Sequence, residues 1–354
     1  LLKMLLKELN YKIPRDLIAL YPKKPRDESK LILVGEKFKI INFKEIINLL
    51  KPNDALVFND TKVINANLHG TLGLRKVVIN LNKMINKENV IWSVFIKSNK
   101  KPEISDKIFF SGNLTAQVID ISRSKNIDSF ILKFSCTFIT FKKKLKLFGL
   151  IPLPPYITKK RQVQASDFTD YQTVFAKNDG AVASPTASLH FSNQLLKKIK
   201  TKKIKLINVT LHINGGTFLP VKENNISKHQ MHYEYGFVSK KSSDQINKIK
   251  EKGGRVIAVG TTVLRVLESA KDNYGKIKPF DGETNIFIKP GWKINSIDGI
   301  ITNFHFPKST LLLIIYALIG QKQTKKLYNF AIKNKLRFFS YGDASLIWRK
   351  NGGF

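Results

Sequence analysis

Residues 55–58, Ala-Leu-Val-Phe, form a short continuous apolar run that ends on Asn59, Asp60 and Thr61. That is the pattern of a buried strand whose carboxyl end turns polar. The figure recurs three times. Residues 204–212 lead into Asn214-Gly215-Gly216-Thr217, residues 255–259 into Gly260-Thr261-Thr262, and residues 300–304 into His305-Phe306-Pro307-Lys308-Ser309-Thr310. Between and after these runs the apolar period becomes helical: at 193–199, at 243–252 (closed by Gly253-Gly254), at 263–270, and from Leu311 onward. Strands alternating with helices predict an α/β domain. Ahead of them, Ile13-Pro14 predicts a short helix over 15–20, broken by Pro22 and Pro25. A short strand follows at 31–34, then a helix over 43–50 that stops at Pro52.

From about residue 67 to 147 the pattern changes. Apolar and β-branched runs at 77–81, 90–96, 107–110, 114–121 and 130–140 alternate with polar turns and show little helical period. Short strands at close spacing predict a small sandwich or barrel. The stretch 151–156, Ile-Pro-Leu-Pro-Pro-Tyr, is a stiff connection out of it. The expected organisation is therefore a discontinuous α/β domain with an inserted small β-barrel. Residues 1–66 and 151–354 form the two parts of the α/β domain, and residues 67–150 form the insertion.

Charge adds a partner class. Lys+Arg 61 against Asp+Glu 26 gives a net charge of +35, which suits a polyanion such as tRNA. Much of the excess is lysine spread along the whole chain, as compositional drift also produces. One cysteine, Cys136, excludes an intrachain disulfide and a Cys-rich zinc site, and its place between Phe134 and Phe138 reads as core. Residues 1–9 lack the apolar region of a signal peptide. The longest apolar run, 311–320, is too short to span a bilayer. A soluble, cytoplasmic protein without a membrane partner is expected.

In open α/β sheets ligands bind beyond the carboxyl ends of the strands. Here those ends carry Asp60 and Thr61, His212 and Thr217, Thr261 and Thr262, and His305 and Lys308. Gly260-Thr261-Thr262 opens a helix whose free N–H groups suit an anion, with Arg265 one turn on to grip a carboxylate. Ordinary capping with a surface arginine is the competing reading. His190 lies in an apolar frame beside small residues and Pro185-Thr186, where it is either a proton-transfer group or a satisfied histidine under a tight turn. His229 and His232 have i,i+3 spacing without the zinc-helix signature, so no metal is assigned. Glu283 sits in a possible turn, Gly282-Glu283-Thr284. Tyr341 and Asp343 sit in an aromatic stretch that packing and one capping aspartate also explain. No Gly-x-Gly-x-x-Gly follows a strand and no P-loop motif occurs.

Taken in order, the motifs resemble one family. They are LVFNDTKVI (56–64), PLPPYI (152–157), DYQTVFA (170–176), GAVASPTASLHF (180–191), VTLHINGGTFLPV (209–221), HQMHYE (229–234), GGRVIAVGTTVLRVLES (253–269), GETNIFIKPG (282–291), TNFHFPKSTLL (302–312) and RFFSYGDASLI (337–347). The chain is similar to the S-adenosylmethionine:tRNA ribosyltransferase-isomerases of queuosine biosynthesis. The resemblance implies an α/β domain with an inserted barrel and a ligand cleft between them. It implies that S-adenosylmethionine is a co-substrate, with no cofactor. Its ribosyl moiety passes to 7-aminomethyl-7-deazaguanine at the wobble position of a tRNA anticodon stem-loop, giving epoxyqueuosine, adenine and methionine. On this reading His190, His212 and His305 are the proton-transfer candidates and Asp60 orients one of them or meets substrate. Thr61, Thr186, Thr217, Thr261, Thr262, Arg265, Glu283, Lys308, Tyr341 and Asp343 are candidate substrate contacts. A monomer is expected. Lys62, Asn65, Asn67, Val78 and Ser188 depart from the family's pattern, and the alternative they raise is a catalytically impaired, basic tRNA-binding relative.

Overall fold

The computed structural model describes residues 4–123, 128–218, 221 and 223–349. The first strands are β1 (Lys30–Val34), β2 (Phe38–Asn42), β3 (Ala55–Asn59) and β4 (Thr61–Val63). The barrel strands follow: β5 (Asn67–Leu72), β6 (Arg75–Asn86), β7 (Ile91–Lys97), β8 (Lys107–Phe110), β9 (Leu114–Ser122) and β10 (Ser129–Phe134). Then come β11 (Asn178–Ala181), β12 (Lys205–Leu211), β13 (Glu234–Val238), β14 (Val256–Val259), β15 (Phe280–Thr284), β16 (Gly299–Asn303) and β17 (Ala344–Trp348). The helices are α1 (Phe138–Phe148), the single turns α2 (Pro155–Thr158) and α3 (Asp167–Asp170), α4 (Asn193–Thr201), α5 (Lys240–Glu251), α6 (Thr261–Ala270) and α7 (Thr310–Lys333).

A nine-stranded sheet runs in the order β15-β13-β12-β3-β14-β16-β17-β1-β2. Its central strands β12, β3, β14 and β16 are parallel neighbours. Parallel pairing brings the ends after Asn59, Leu211, Val259 and Asn303 to one edge of the sheet, as the polar ends of the apolar runs required. Because both faces are covered, β3 and β14 are buried at every position and show no alternation. One face packs Val57, Val209 and Ala258 against Ile246, Val263, Leu267 and the apolar face of α7. The other packs Leu56, Phe58, Ile257 and Ile301 against Phe43, Phe191, Leu195 and Ile199.

The six strands β5 to β10 close into a barrel in the order β10-β7-β6-β5-β8-β9. Ile79, Trp92, Val118 and Leu132 fill it, and Phe141 and Leu145 of α1 pack into the same core. Backbone bonds in both directions between Asn67 and Leu150, at 3.1 and 2.8 Å, join the chain's entry to its exit.

Several elements differ from their sequence reading. The strand expected over 130–140 stops at Phe134, and α1 begins after Thr137, whose side chain accepts from Thr140 N. The lysine-rich run hid the i,i+4 pair Phe141 and Leu145, which is the buried stripe of this helix. The helices expected at 15–20 and 43–50 are 3₁₀ segments, Arg15–Leu17 and Phe43–Asn48. Gly282, Glu283 and Thr284, expected as a turn, lie in strand β15. Helix α7 breaks at Gly320, whose φ of 79° only glycine adopts readily. Among the described residues no helix is long and apolar enough to cross a membrane.

Candidate active site

Beyond the carboxyl ends of β14 and β16 lies an open cleft with a cavity volume of about 70 Å³. Gly260 forms its base. Its N–H bonds Ile301 O at 2.8 Å, and its φ of 100° turns the chain directly into α6, a conformation that L side chains rarely adopt. Gly260 has no side chain with which to cap the helix, and the first helical bond runs from Leu264 N to Gly260 O. The first-turn N–H groups beside Thr261 and Thr262 are therefore left for a ligand. Two hydroxyls of the wall, Ser184 Oγ and Thr262 Oγ1, are buried without a hydrogen-bond partner among the described residues. Buried polar orphans of this kind mark places where a ligand's polar groups find partners. The far wall is aromatic. Phe306 and Phe339 stack with centroids 3.8 Å apart, beside Leu311.

His305 stands on the cleft wall. Its Nε2 lies 2.9 Å from Thr302 Oγ1, whose other acceptor, Asn303 O, is at 3.5 Å. In the tautomer in which the threonine hydroxyl donates to Nε2 rather than to Asn303 O, the imidazole proton sits on Nδ1. The backbone is held from both sides, since His305 N donates to Tyr328 Oη at 3.0 Å and His305 O accepts from Tyr11 Oη. Burial lowers the imidazole pKa to about 3, so it is neutral at physiological pH.

A second cluster occupies the ends of β3 and β12. Thr61 Oγ1 lies 2.7 Å from His212 Nδ1, and the His212 ring stacks on Tyr235 at 5.8 Å and 20°. Gly180 is needed here because a Cβ would come within 2.8 Å of that ring. Burial lowers the His212 pKa, opposed by the charges of Asp60 and Asp179. Val182 N bonds Ile213 O at 2.9 Å, so the strip from Gly180 to Ala187 joins this cluster to the cleft wall.

Thr186, Thr261, Thr262 and His305 are thus brought together on the cleft, with Asp60, Thr61 and His212 adjoining it. The other expected site residues are elsewhere. His190 is a satisfied histidine behind the wall: Nδ1 meets Ser29 Oγ at 2.7 Å, Nε2 meets Asn303 Nδ2 at 3.3 Å, and the ring stacks on Phe43. It positions Asn303, which accepts from Thr186 Oγ1 at 3.3 Å. Arg265 is buried, ion-paired with Glu234 and off the cleft wall, because its helix face turns toward β13. Asp60 does not bond a histidine. Its carboxylate takes Thr210 Oγ1 at 2.6 Å and Asn178 Nδ2 at 3.0 Å, and the neighbouring Thr61 orients His212 instead.

Asp343 accepts from Lys30 N at 2.8 Å and Arg337 N at 2.7 Å, which makes it a backbone clamp. Tyr341 is buried with its hydroxyl 3.5 Å from Asp167. Glu283 is exposed and pairs with Lys83 of the barrel at 2.6 Å. Lys308 has a φ of 57°, and its backbone bonds Leu9 O and Val221 N. The Thr217 side chain lies outside the described residues. Sequence reasoning passed over Ser184, Thr302, Asn303, Phe306 and Phe339 on the wall. Their only signal is adjacency to the marked residues, since small hydroxyl and amide groups read as turn chemistry.

Two buried neutral histidines give stability a pH dependence of definite sign. His190 is lowered from 6.5 to about 3 by burial and then by Arg337 and Arg26, and His305 is lowered to about 3 by burial alone. The unfolded chain protonates both near pH 6.5. Their contribution is therefore full above that pH and is lost as pH falls toward 3. Between pH 7.5 and 5.5 each lowers stability by about 1.4 kcal/mol. Urea unfolding midpoints equal at the two pH values would contradict this.

Residues 6–347 match the family model described as Queuosine biosynthesis protein. A Ruegeria pomeroyi protein named S-adenosylmethionine:tRNA ribosyltransferase-isomerase is 42% identical over 351 residues, covering 97% of this chain and 99% of its own length. A relative of the same name from Brucella melitensis biotype 2 is 42% identical over 351 residues, with 96% of each chain covered. The crystal structure of an S-adenosylmethionine tRNA ribosyltransferase from Thermotoga maritima aligns with a TM-score of 0.54 and 28% identity, over 96% of this chain and 99% of that one.

Proposed function

The chain belongs to the queuosine biosynthesis protein family, and from that premise we propose that it is an S-adenosylmethionine:tRNA ribosyltransferase-isomerase. It transfers and isomerises the ribosyl moiety of S-adenosylmethionine onto the aminomethyl group of a 7-deazaguanine at the tRNA wobble position. The observation that carries this reading is the cleft itself. It joins an uncapped helix N-terminus, a neutral histidine on the wall, and an aromatic wall. S-adenosylmethionine has the matching parts. Its carboxylate suits the first turn of α6 beside Thr261 and Thr262, and its adenine suits the stack of Phe306 and Phe339.

The sulfonium acidifies the hydrogens on C5′, so a general base starts the reaction, and adenine leaves with help from a hydrogen-bond donor. His305, with its proton on Nδ1, is the proposed donor to adenine. His212 is the proposed base. Its Nδ1 is held by Thr61, and Nε2 has no partner among the described residues. Methionine departs as a neutral thioether once the sulfonium bond breaks, so no further cofactor enters the scheme. With tRNA as acceptor, the cytoplasm is the proposed compartment. The non-catalytic alternative finds no support in the two relatives described, which both carry the enzyme's name.

The test is direct. Incubation with S-adenosylmethionine and tRNA bearing the aminomethyl-deazaguanine gives adenine and epoxyqueuosine in equal amounts by mass spectrometry. Methylated RNA in place of ribosylated RNA rejects the reading.

A further inference from the structure

Strand β13 alternates strictly. Glu234, Gly236 and Val238 face the core, where Gly236 packs against Val266 of α6. The outward positions hold Tyr235 and Phe237, and Tyr233 precedes them at the same two-residue spacing. These three rings are 52% (Tyr233), 39% (Tyr235) and 39% (Phe237) exposed. A row of large exposed aromatics on one sheet face is unusual for a surface that meets only water.

The surroundings narrow the occupant. The row is continuous with the proposed active site, because Tyr235 stacks on His212 and its carbonyl accepts from His212 N at 2.9 Å. The acids opposite on β15 are each engaged within the chain. Asp281 takes the Tyr235 hydroxyl at 2.5 Å, and Glu283 takes Lys83 at 2.6 Å. Lys83 Nζ also stands 6.0 Å from the Tyr233 ring. On the other side of His212, Lys62 and Lys142 share one carboxylate, Asp179, at 3.6 and 2.8 Å, which leaves that cluster cationic. The chain as a whole carries +35. Aromatic rings for base faces, next to lysines for phosphates, form the chemistry that holds single-stranded nucleic acid. Outward positions on a strand repeat about every 6.6 Å, a spacing that suits splayed rather than stacked bases.

We propose that Tyr233, Tyr235 and Phe237 form a stacking platform for the single-stranded loop nucleotides that flank the reacting base of the tRNA. The platform delivers that base to His212. This rests on tRNA being the acceptor, and it adds the surface that holds the loop.

The test uses the double variant Tyr233→Ala, Phe237→Ser, which leaves Tyr235 and its contact with His212 in place. At about 1–3 kcal/mol per stacked base, the KM for tRNA rises at least tenfold, with S-adenosylmethionine affinity and kcat at saturating tRNA unchanged. The conservative variant Tyr233→Phe, Phe237→Trp keeps the wild-type KM. A second arm needs no catalysis. An anticodon stem-loop RNA with 2-aminopurine in its loop is quenched by the wild type and not by the double variant. A tRNA KM within twofold of wild type, or quenching retained by the variant, overturns the platform. So does a wild-type dimer that the variant dissociates, because the face then belongs to a second copy. If the wild type releases no adenine, the enzyme reading fails and the quenching arm still decides the platform.

Discussion

Replacing His305 with alanine lowers the rate of adenine release by about 10²–10⁴-fold at saturating substrates, the usual contribution of a positioned proton donor. The expectation rests on geometry first. His305 lies on the cleft wall, with Nε2 at 2.9 Å from Thr302 Oγ1 and its main chain bonded by Tyr328 and Tyr11. The ring has one open nitrogen and little freedom to turn. Because it is neutral, with a pKa near 3, it acts as a hydrogen-bond donor to departing adenine rather than as an imidazolium. His305→Gln, which keeps an N–H donor, recovers part of the loss. Thr302→Val, which frees the tautomer, shows a smaller loss of kcat with the KM for S-adenosylmethionine kept. Single-turnover adenine release separates this step from product release. A His305→Ala rate within threefold of wild type would remove His305 from the chemistry.

His190 and His305 show where the sequence stops being readable. His190 lies in an apolar frame and His305 follows a strand end, and the family resemblance makes both proton-transfer candidates. Their difference is made by distant residues. Ser29 lies 161 positions from His190 and takes its Nδ1, while the partner of His305 is Thr302, three residues away on the same strand end. No local signal states that Ser29 arrives there. What the pattern did carry was the edge itself. Four buried strands with polar carboxyl ends are read correctly from apolar runs, because parallel pairing forces those ends to one side.

The barrel was legible for the same kind of reason. Strict alternation in β8 and β10 leaves inward residues apolar. Helix α1 escaped because two inward residues among lysines carry too little period to stand out. Glu283 escaped because Gly282 looked like a turn, and the strand is fixed only by pairing with β13. The departures from the family pattern also find local places. Lys62 pairs with Asp179 at 3.6 Å and Asn67 bonds Asn80 at 2.8 Å, whereas Ser188 Oγ is buried without a partner among the described residues.

Glu234→Ala destabilises the protein by about 3–5 kcal/mol, as removal of one partner from a buried ion pair does. Glu234 is 3% exposed and Arg265 is 4% exposed. The Glu234 carboxylate accepts from both Arg265 and Asn214 N, the latter at 3.1 Å. On the arginine, Nε and Nη2 are buried without a hydrogen-bond partner among the described residues. Its charge is thus answered chiefly by Glu234, and losing that carboxylate leaves a guanidinium in a low-dielectric interior. Replacing both residues, Glu234→Leu with Arg265→Met, removes both desolvation penalties and returns most of the loss. Urea unfolding of the three proteins measures this order. Arg265→Ala discriminates between the two roles that the residue has been given. As a structural partner of Glu234, it lowers the unfolding midpoint and leaves the Kd for S-adenosylmethionine near that of wild type. A weakening of that Kd by tenfold or more, with the midpoint unchanged, would instead make its unpartnered Nε and Nη2 edge a fork for the methionine carboxylate.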